Sequence, residues 1–221
     1  MISSNSFKLA IMTALSVSSA AAPLQRVSDC GWLGCGIQQQ QKPLSSYSLS
    51  HGGAEASDIS AANIVEAIKS LTAKTQELGA PANTITATNG PLLVIGEGPY
   101  PVVIKGFVDI VNQATLLSGQ LFGAKPITAG GDADSISDAW KEFSQVSAVL
   151  LRVLTSKAGL LEDSVPLIGR PMVAVLRKHD SLVDTLAFTF INLVQNKASD
   201  ISASTEDISK ALRTAIQAYE G

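Results

Sequence analysis

Between Pro101 and Phe122 the chain places Val103, Phe107, Ile110, Ala114, Leu117 and Leu121 at steps of three or four residues. That step is the helical period, and an apolar stripe so spaced has to be covered by other elements. Val102, Ile104, Val108, Val111 and Leu116 add apolar side chains on the remaining sides. This helix is therefore expected to be surrounded and central.

Four more segments carry the same period. From Asp58 to Gly79 the residues Ile64, Ile68, Leu71, Thr75 and Leu78 share a face, and Gly79-Ala80-Pro81 supplies the stop. Asp132-Ala133-Asp134-Ser135 offers oxygens to the free amides that open a third helix. Its face carries Ile136, Trp140, Phe143, Val146, Leu150 and Leu154, and it is expected to end near Lys157-Ala158-Gly159. Pro166, Gly169 and Pro171 mark a bend. A fourth helix runs through Val175, His179, Leu182, Leu186, Phe190 and Leu193, and a fifth from Ser199 to Tyr219 through Ile201, Ile208, Leu212, Ala215, Ile216 and Tyr219. No segment shows a credible strand pattern, so the fold class is all-α: a single-domain bundle of about five helices over residues 58–221.

The 80–98 connection is long for a compact domain. Its apolar run Leu92-Leu93-Val94-Ile95 is expected as a helical turn or as a flap over the core. Gly96 and Gly98 lack the third glycine and the βαβ context of a dinucleotide loop.

The N-terminus is of another kind. Lys8, the apolar run Leu9 to Leu15 and the small residues Ser18 to Ala22 follow the order of a secretory signal peptide over residues 1–21. The run is too short to cross a bilayer, which takes about 20 residues. Residues 22–57 show no sustained period, with a glutamine run, several serines, Pro43 and Gly52-Gly53, and read as a disordered lead-in. The expected location is extracellular, where two cysteines favour a disulfide. Cys30 and Cys35 stand in a C-x-x-x-x-C spacing instead of the redox C-x-x-C, and only His51 and His179 could join them on a zinc ion that needs about four ligands. A small Cys30–Cys35 disulfide loop with Trp32 and Leu33 at its tip is the expectation; no metal and no cofactor is expected.

The net charge of −3 and the absence of a basic cluster leave no electrostatic footprint for nucleic acid. His179-Asp180-Ser181 holds the residue types of a nucleophilic site, but helical neighbours point about 100° apart and diverge. No G-x-S-x-G or H-E-x-x-H occurs. The chain is therefore read as non-enzymatic. Its distinctive property is apolar surplus, with 46% hydrophobic residues and a mean hydropathy of +0.25. That surplus either fills a core, lines a cavity or meets a hydrophobic partner.

The signal peptide, the helix opened by Asp132-Ala133-Asp134-Ser135, the run Leu150-Leu151-Arg152-Val153-Leu154-Thr155-Ser156-Lys157 and the helix from Val173 to Val194 resemble the fungal hydrophobic surface-binding protein A family, to which antigenic cell-wall galactomannoproteins are similar. The resemblance spans about Asp58 to Gly221. It implies an all-helical, secreted protein, possible partners being hydrophobic solid surfaces at the cell wall or a fatty acid held between the helices. The lead-in with Cys30 and Cys35 and the 80–98 connection depart from the family. On the carrier reading, an apolar channel lined by Phe107, Ile110, Val111, Phe143, Val146, Leu150, Leu186 and Phe190 takes the acyl chain, and His179 or a hydroxyl near its mouth meets the carboxylate. On the alternative reading the bundle is an adsorber that presents an apolar stripe to a water-repellent solid.

Overall fold

The computed structural model describes residues 59–128, 130–162 and 169–220. The expected signal peptide, the expected lead-in with Cys30 and Cys35, and the expected bend at Pro166 lie outside them. The described residues all belong to the compact unit His51–Gly221.

Helix α1 spans Ala61–Glu77 and is opened by Ser60, whose Oγ accepts from the Asn63 amide at 3.2 Å. The expected face is the buried one: Ile64, Ile68, Leu71, Thr75 and Leu78 are all in the core. Thr72 and Thr75 are buried without cost in unpaired hydroxyls, because each donates to the carbonyl four residues back. A short helix α2, Gly79–Asn83, follows at once.

Of the two expectations for the apolar run in the 80–98 connection, the helical turn is the one observed. After α2, Ile85 is fully buried, and a 3₁₀ turn covers Gly90–Ile95. The Asn89 side chain cinches the segment, accepting from the Thr86 amide and donating to the Thr84 carbonyl, each at 2.8 Å. Leu92, Val94 and Ile95 are nevertheless exposed. Gly96 closes the 3₁₀ turn with a left-handed φ of 78°; Gly98, at φ 85°, leaves no room for a side chain, since a Cβ there would come within 2.9 Å of the Asn89 carbonyl oxygen. Both glycines serve the turn.

Helix α3, Pro99–Leu121, starts on a proline, whose missing amide is no loss in the first turn. It buries the expected stripe and Tyr100. It is not central: Val102, Val108 and Leu116 face solvent, at 54%, 41% and 69% exposure. Helix α4, Gly131–Glu162, begins before the acids expected to cap it, so Asp132 and Asp134 lie inside its first turn, where they suit the positive end of the helix dipole. It also continues past Gly159. Helix α5, Gly169–Leu193, and helix α6, Ala198–Glu220, complete the fold, joined by a 3₁₀ turn at Gln195–Lys197 whose Lys197 Nζ reaches back to Asp134 at 2.6 Å. In α5 the buried position is Val183, with Leu182 only half-buried.

The five long helices form a closed ring. α1 packs on α4, α4 on α6, α6 on α5, α5 on α3 and α3 back on α1. Directions follow from the bonds between them. Trp140 Nε1 donates to Thr205 Oγ1 and Tyr219 OH to the Leu154 carbonyl, a constant offset along α4 and α6 that makes them parallel. Gln113 of α3 donates to Ser70 of α1 while Gly106 of α3 lies against Leu78, so that pair is antiparallel. Arg177, near the start of α5, pairs with Glu220 at the end of α6, which sets those two antiparallel. None of the described helices occupies the centre of the ring. None of the described helices is long and apolar enough to cross a membrane.

Candidate functional site

The centre is filled by side chains. Five rings form a line across it: Phe190 and Trp140 at 5.2 Å between centroids, Trp140 and Phe143 at 5.3 Å, Phe143 and His179 at 6.3 Å, and His179 and Phe107 at 5.3 Å. α4 and α5 are not neighbours in the ring, so Trp140 and Phe143 meet Phe190 and His179 across the axis. Phe107 adds the wall from α3. The contacts are tilted or edge-on, as aromatic quadrupoles prefer.

His179 is the polar member of that line. It is 1% exposed, and among the described residues neither Nδ1 nor Nε2 has a hydrogen-bond partner. Burial alone pushes its pKa down to about 4, so the imidazole is neutral at pH 7. It lies ten residues inside α5, about 15 Å from that helix's start at 1.5 Å per residue. The expected place near a channel mouth is thus corrected: the periodicity that puts His179 on the α5 stripe also puts it midway along the ring.

The other expected residues separate. Phe107, Ile110, Phe143, Leu150, Leu186 and Phe190 all join the buried core. Val111 is only half-buried on α3. Val146, also half-buried, turns away from the axis with the edge of Leu150 to line a groove of ≈ 340 Å³ between α1 and α4, walled by Thr75, Gly79, Val149 and Val153.

One end of the ring is closed by hydroxyls. Tyr219 OH donates to the Leu154 carbonyl at 2.9 Å and lies 3.3 Å from Tyr100 OH, which also donates to the Lys157 carbonyl. Burial raises the pKa of both phenols, so they remain neutral donors. Lys157 Nζ ties the end of α2 and the start of the following connection to α4 through the carbonyls of Ile85 (2.9 Å) and Asn83 (3.3 Å). At the opposite end a groove of ≈ 470 Å³ opens between the ends of α3 and α5, with Phe122 (89% exposed) and Phe188 (70% exposed) on it and no ionisable side chain in its lining.

The Tyr100–Tyr219 clasp escaped sequence reasoning, because Tyr219 looks like an ordinary stripe member and Tyr100 falls before the helix expected from Pro101. Ser144 and Ser147 escaped it too: they are buried with hydroxyls lacking a partner among the described residues. Their signal is readable in hindsight. Trp140, Ser144, Ser147, Leu151 and Leu154 form a helical stripe with two polar entries. His179, Asp180 and Ser181 diverge as the spacing requires, being buried, half-buried and exposed in turn. The Asp180 carboxyl is raised by its own partial burial and by Asp184, with Arg213 opposing. No group of acids, histidines and cysteines able to hold a metal ion occurs among the described residues.

Set against known proteins, this chain matches no protein-family profile and no curated protein. Solved structures do match. AfMP4p in complex with palmitic acid is 16% identical with a TM-score of 0.63, over 72% of this chain and 99% of that one. Ligand-binding domain 1 of Penicillium marneffei MP1, complexed with arachidonic acids, is 16% identical with a TM-score of 0.55, over 71% and 98%. Domain 2 of the same protein, in complex with arachidonic acids, is 14% identical with a TM-score of 0.60, over 74% and 95%. The likeness is one of fold. It covers nearly the whole of each of those domains and, in this chain, a length comparable to that of the helical ring.

Proposed function

We propose that this chain is a secreted, non-enzymatic fungal carrier that holds a fatty acid or similar apolar lipid along the axis of its five-helix ring. The observation that carries the reading is the axis itself: none of the described helices fills it, and across it Phe107, Phe143, His179, Trp140 and Phe190 of α3, α4 and α5 meet ring to ring. An acyl chain takes the place of those cross-axis contacts as the rings rotate and the helices part. Each methylene buried contributes about 0.8 kcal/mol, so a long chain supplies on the order of 10 kcal/mol against association costs of roughly 4 to 15. Further support comes from the solved structures of the same fold, which carry palmitic and arachidonic acids, and from the signal-peptide pattern of residues 1–21. Entry is at the Phe122 and Phe188 end, the other being clasped by Tyr100 and Tyr219.

Trp140 provides the test, since it sits in the aromatic line. With Trp32 replaced by Phe, Trp140 is the remaining tryptophan, and titration with palmitate is expected to change its emission saturably at micromolar ligand. Emission unchanged to the solubility limit, with no lipid co-purifying in native mass spectrometry, overturns the carrier.

A second reading, adsorption to hydrophobic solids at the cell wall, is favoured by Leu116, Phe122 and Phe188, all at least 69% exposed. Phe122→Ser with Phe188→Ser is expected to weaken retention on an alkyl-coated solid; unchanged retention removes that reading.

A further inference from the structure

Resting on the carrier reading, we propose that His179 makes the ring selective for fatty acids that bear a hydrogen-bonding oxygen part-way along the chain, hydroxy acids above all, over the unsubstituted acid of equal length.

The imidazole is enclosed by Phe107 and Phe143, and its neighbours on the α5 stripe are Val175, Leu176, Val183 and Leu186. None of these offers a donor or an acceptor. A buried polar group left unpaired is destabilising, and an apolar side chain of similar size would cost less there. A bare hydrocarbon passing along the axis would leave both nitrogens as they are. A carboxylate brought to the same place would lose its hydration about 15 Å from the helix end without a cation beside it. A hydroxyl fits both demands: it donates to the bare nitrogen of the neutral imidazole or accepts from its N–H, and it brings no charge.

Discrimination follows from the asymmetry between a satisfied and an unsatisfied buried group. The full chain is titrated with stearic, 9-hydroxystearic and 12-hydroxystearic acids by displacement of a fluorescent fatty acid. At least one hydroxy acid is expected to bind about tenfold more tightly than stearic acid, the effect of one net hydrogen bond. His179→Leu is expected to abolish that preference, so that the hydroxy acids bind the variant no more tightly than stearic acid does. Equal affinities in the unsubstituted protein overturn the proposal. So does an equal loss of all three acids in His179→Leu, which means that the imidazole meets the carboxyl group or only packs. Binding of no acid at all overturns the carrier reading, and this one with it. Should the variant fail to fold, nitrogen NMR of the unsubstituted protein decides, because the chain has only two histidines. The His179 ring nitrogens are expected to show the change of hydrogen-bond formation with hydroxy acid, beyond the movement stearic acid causes by displacing the neighbouring rings; equal movement with both acids, or none, overturns the proposal.

Discussion

At the scale of single residues, His179 ties stability to pH. Its folded pKa of about 4 lies below the ordinary value of 6.5, so between those limits the unfolded chain binds more protons than the folded one. Stability from this group is whole above pH 6.5 and is lost as pH falls towards 4. Between pH 7 and pH 5 the loss is about 2 kcal/mol. Urea unfolding at the two pH values measures it, and His179→Leu is expected to remove most of the difference. The raised Asp180 carboxyl works in the opposite sense, favouring the folded state as pH falls. A difference that survives intact in His179→Leu assigns the effect elsewhere. Phe143→Ala makes a second residue-scale test. Losing a fully buried ring is expected to cost about 3 to 5 kcal/mol, as large core truncations do. Here the space opened lies on the axis, so palmitate is expected to recover more stability in this variant than in the parent, read as the shift of the thermal midpoint on adding lipid.

At the scale of elements, two glycines that look alike in the sequence behave differently. A Cβ on Gly169 meets the backbone carbonyl of Tyr219, which is held by the clasp; one on Gly106 meets only the Leu78 side-chain end. Gly169→Ala is therefore expected to destabilise by about 1 to 3 kcal/mol. Gly106→Ala gains up to about 1 kcal/mol of helix propensity against the cost of turning Leu78, and is expected to be near neutral. Chemical denaturation of the two variants separates them, and equal losses contradict this account. The helices themselves were legible, because a stripe such as Ile64, Ile68, Leu71, Thr75 and Leu78 has one period and one place to go. What could not be read was the neighbour of each face. Val102, Val108 and Leu116 made α3 look enclosed, yet they face water, since period tells which residues share a side and says nothing of what covers it. Val146 fell from the expected site for a related reason: it is three residues from Phe143 and four from Leu150, close enough to the stripe to count and far enough round the helix to face the α1 groove. Tyr100 and Tyr219 were hidden because their pairing joins residues 119 apart in sequence.

At the scale of the whole molecule, the ring explains how a packed interior and a ligand are compatible. Each helix touches its two ring neighbours, and the contacts across the axis are made by side chains that rotate. Dilating the ring strains those side chains more than the backbone bonds, which lie within helices. Bound lipid then stabilises the folded state by mass action, about 2.7 kcal/mol at a hundredfold excess over Kd. For a domain of this size that raises the thermal midpoint by about 5 to 10 °C. Among the described residues the core that responds runs from Ile64 to Tyr219, and residues 22–57, which lie outside them, carry no apolar period in the sequence that would call for a place in it. Deleting residues 23–56 is therefore expected to leave both the midpoint and its rise with stearic acid unchanged, while retention on an alkyl-coated solid weakens if Trp32 and Leu33 take part in adsorption. Scanning calorimetry of the two chains, with and without lipid, checks the first part and solid-phase retention the second. A midpoint that falls on deletion would mean that the lead-in packs on the ring, and the ring could no longer be treated as the unit that both folds and binds.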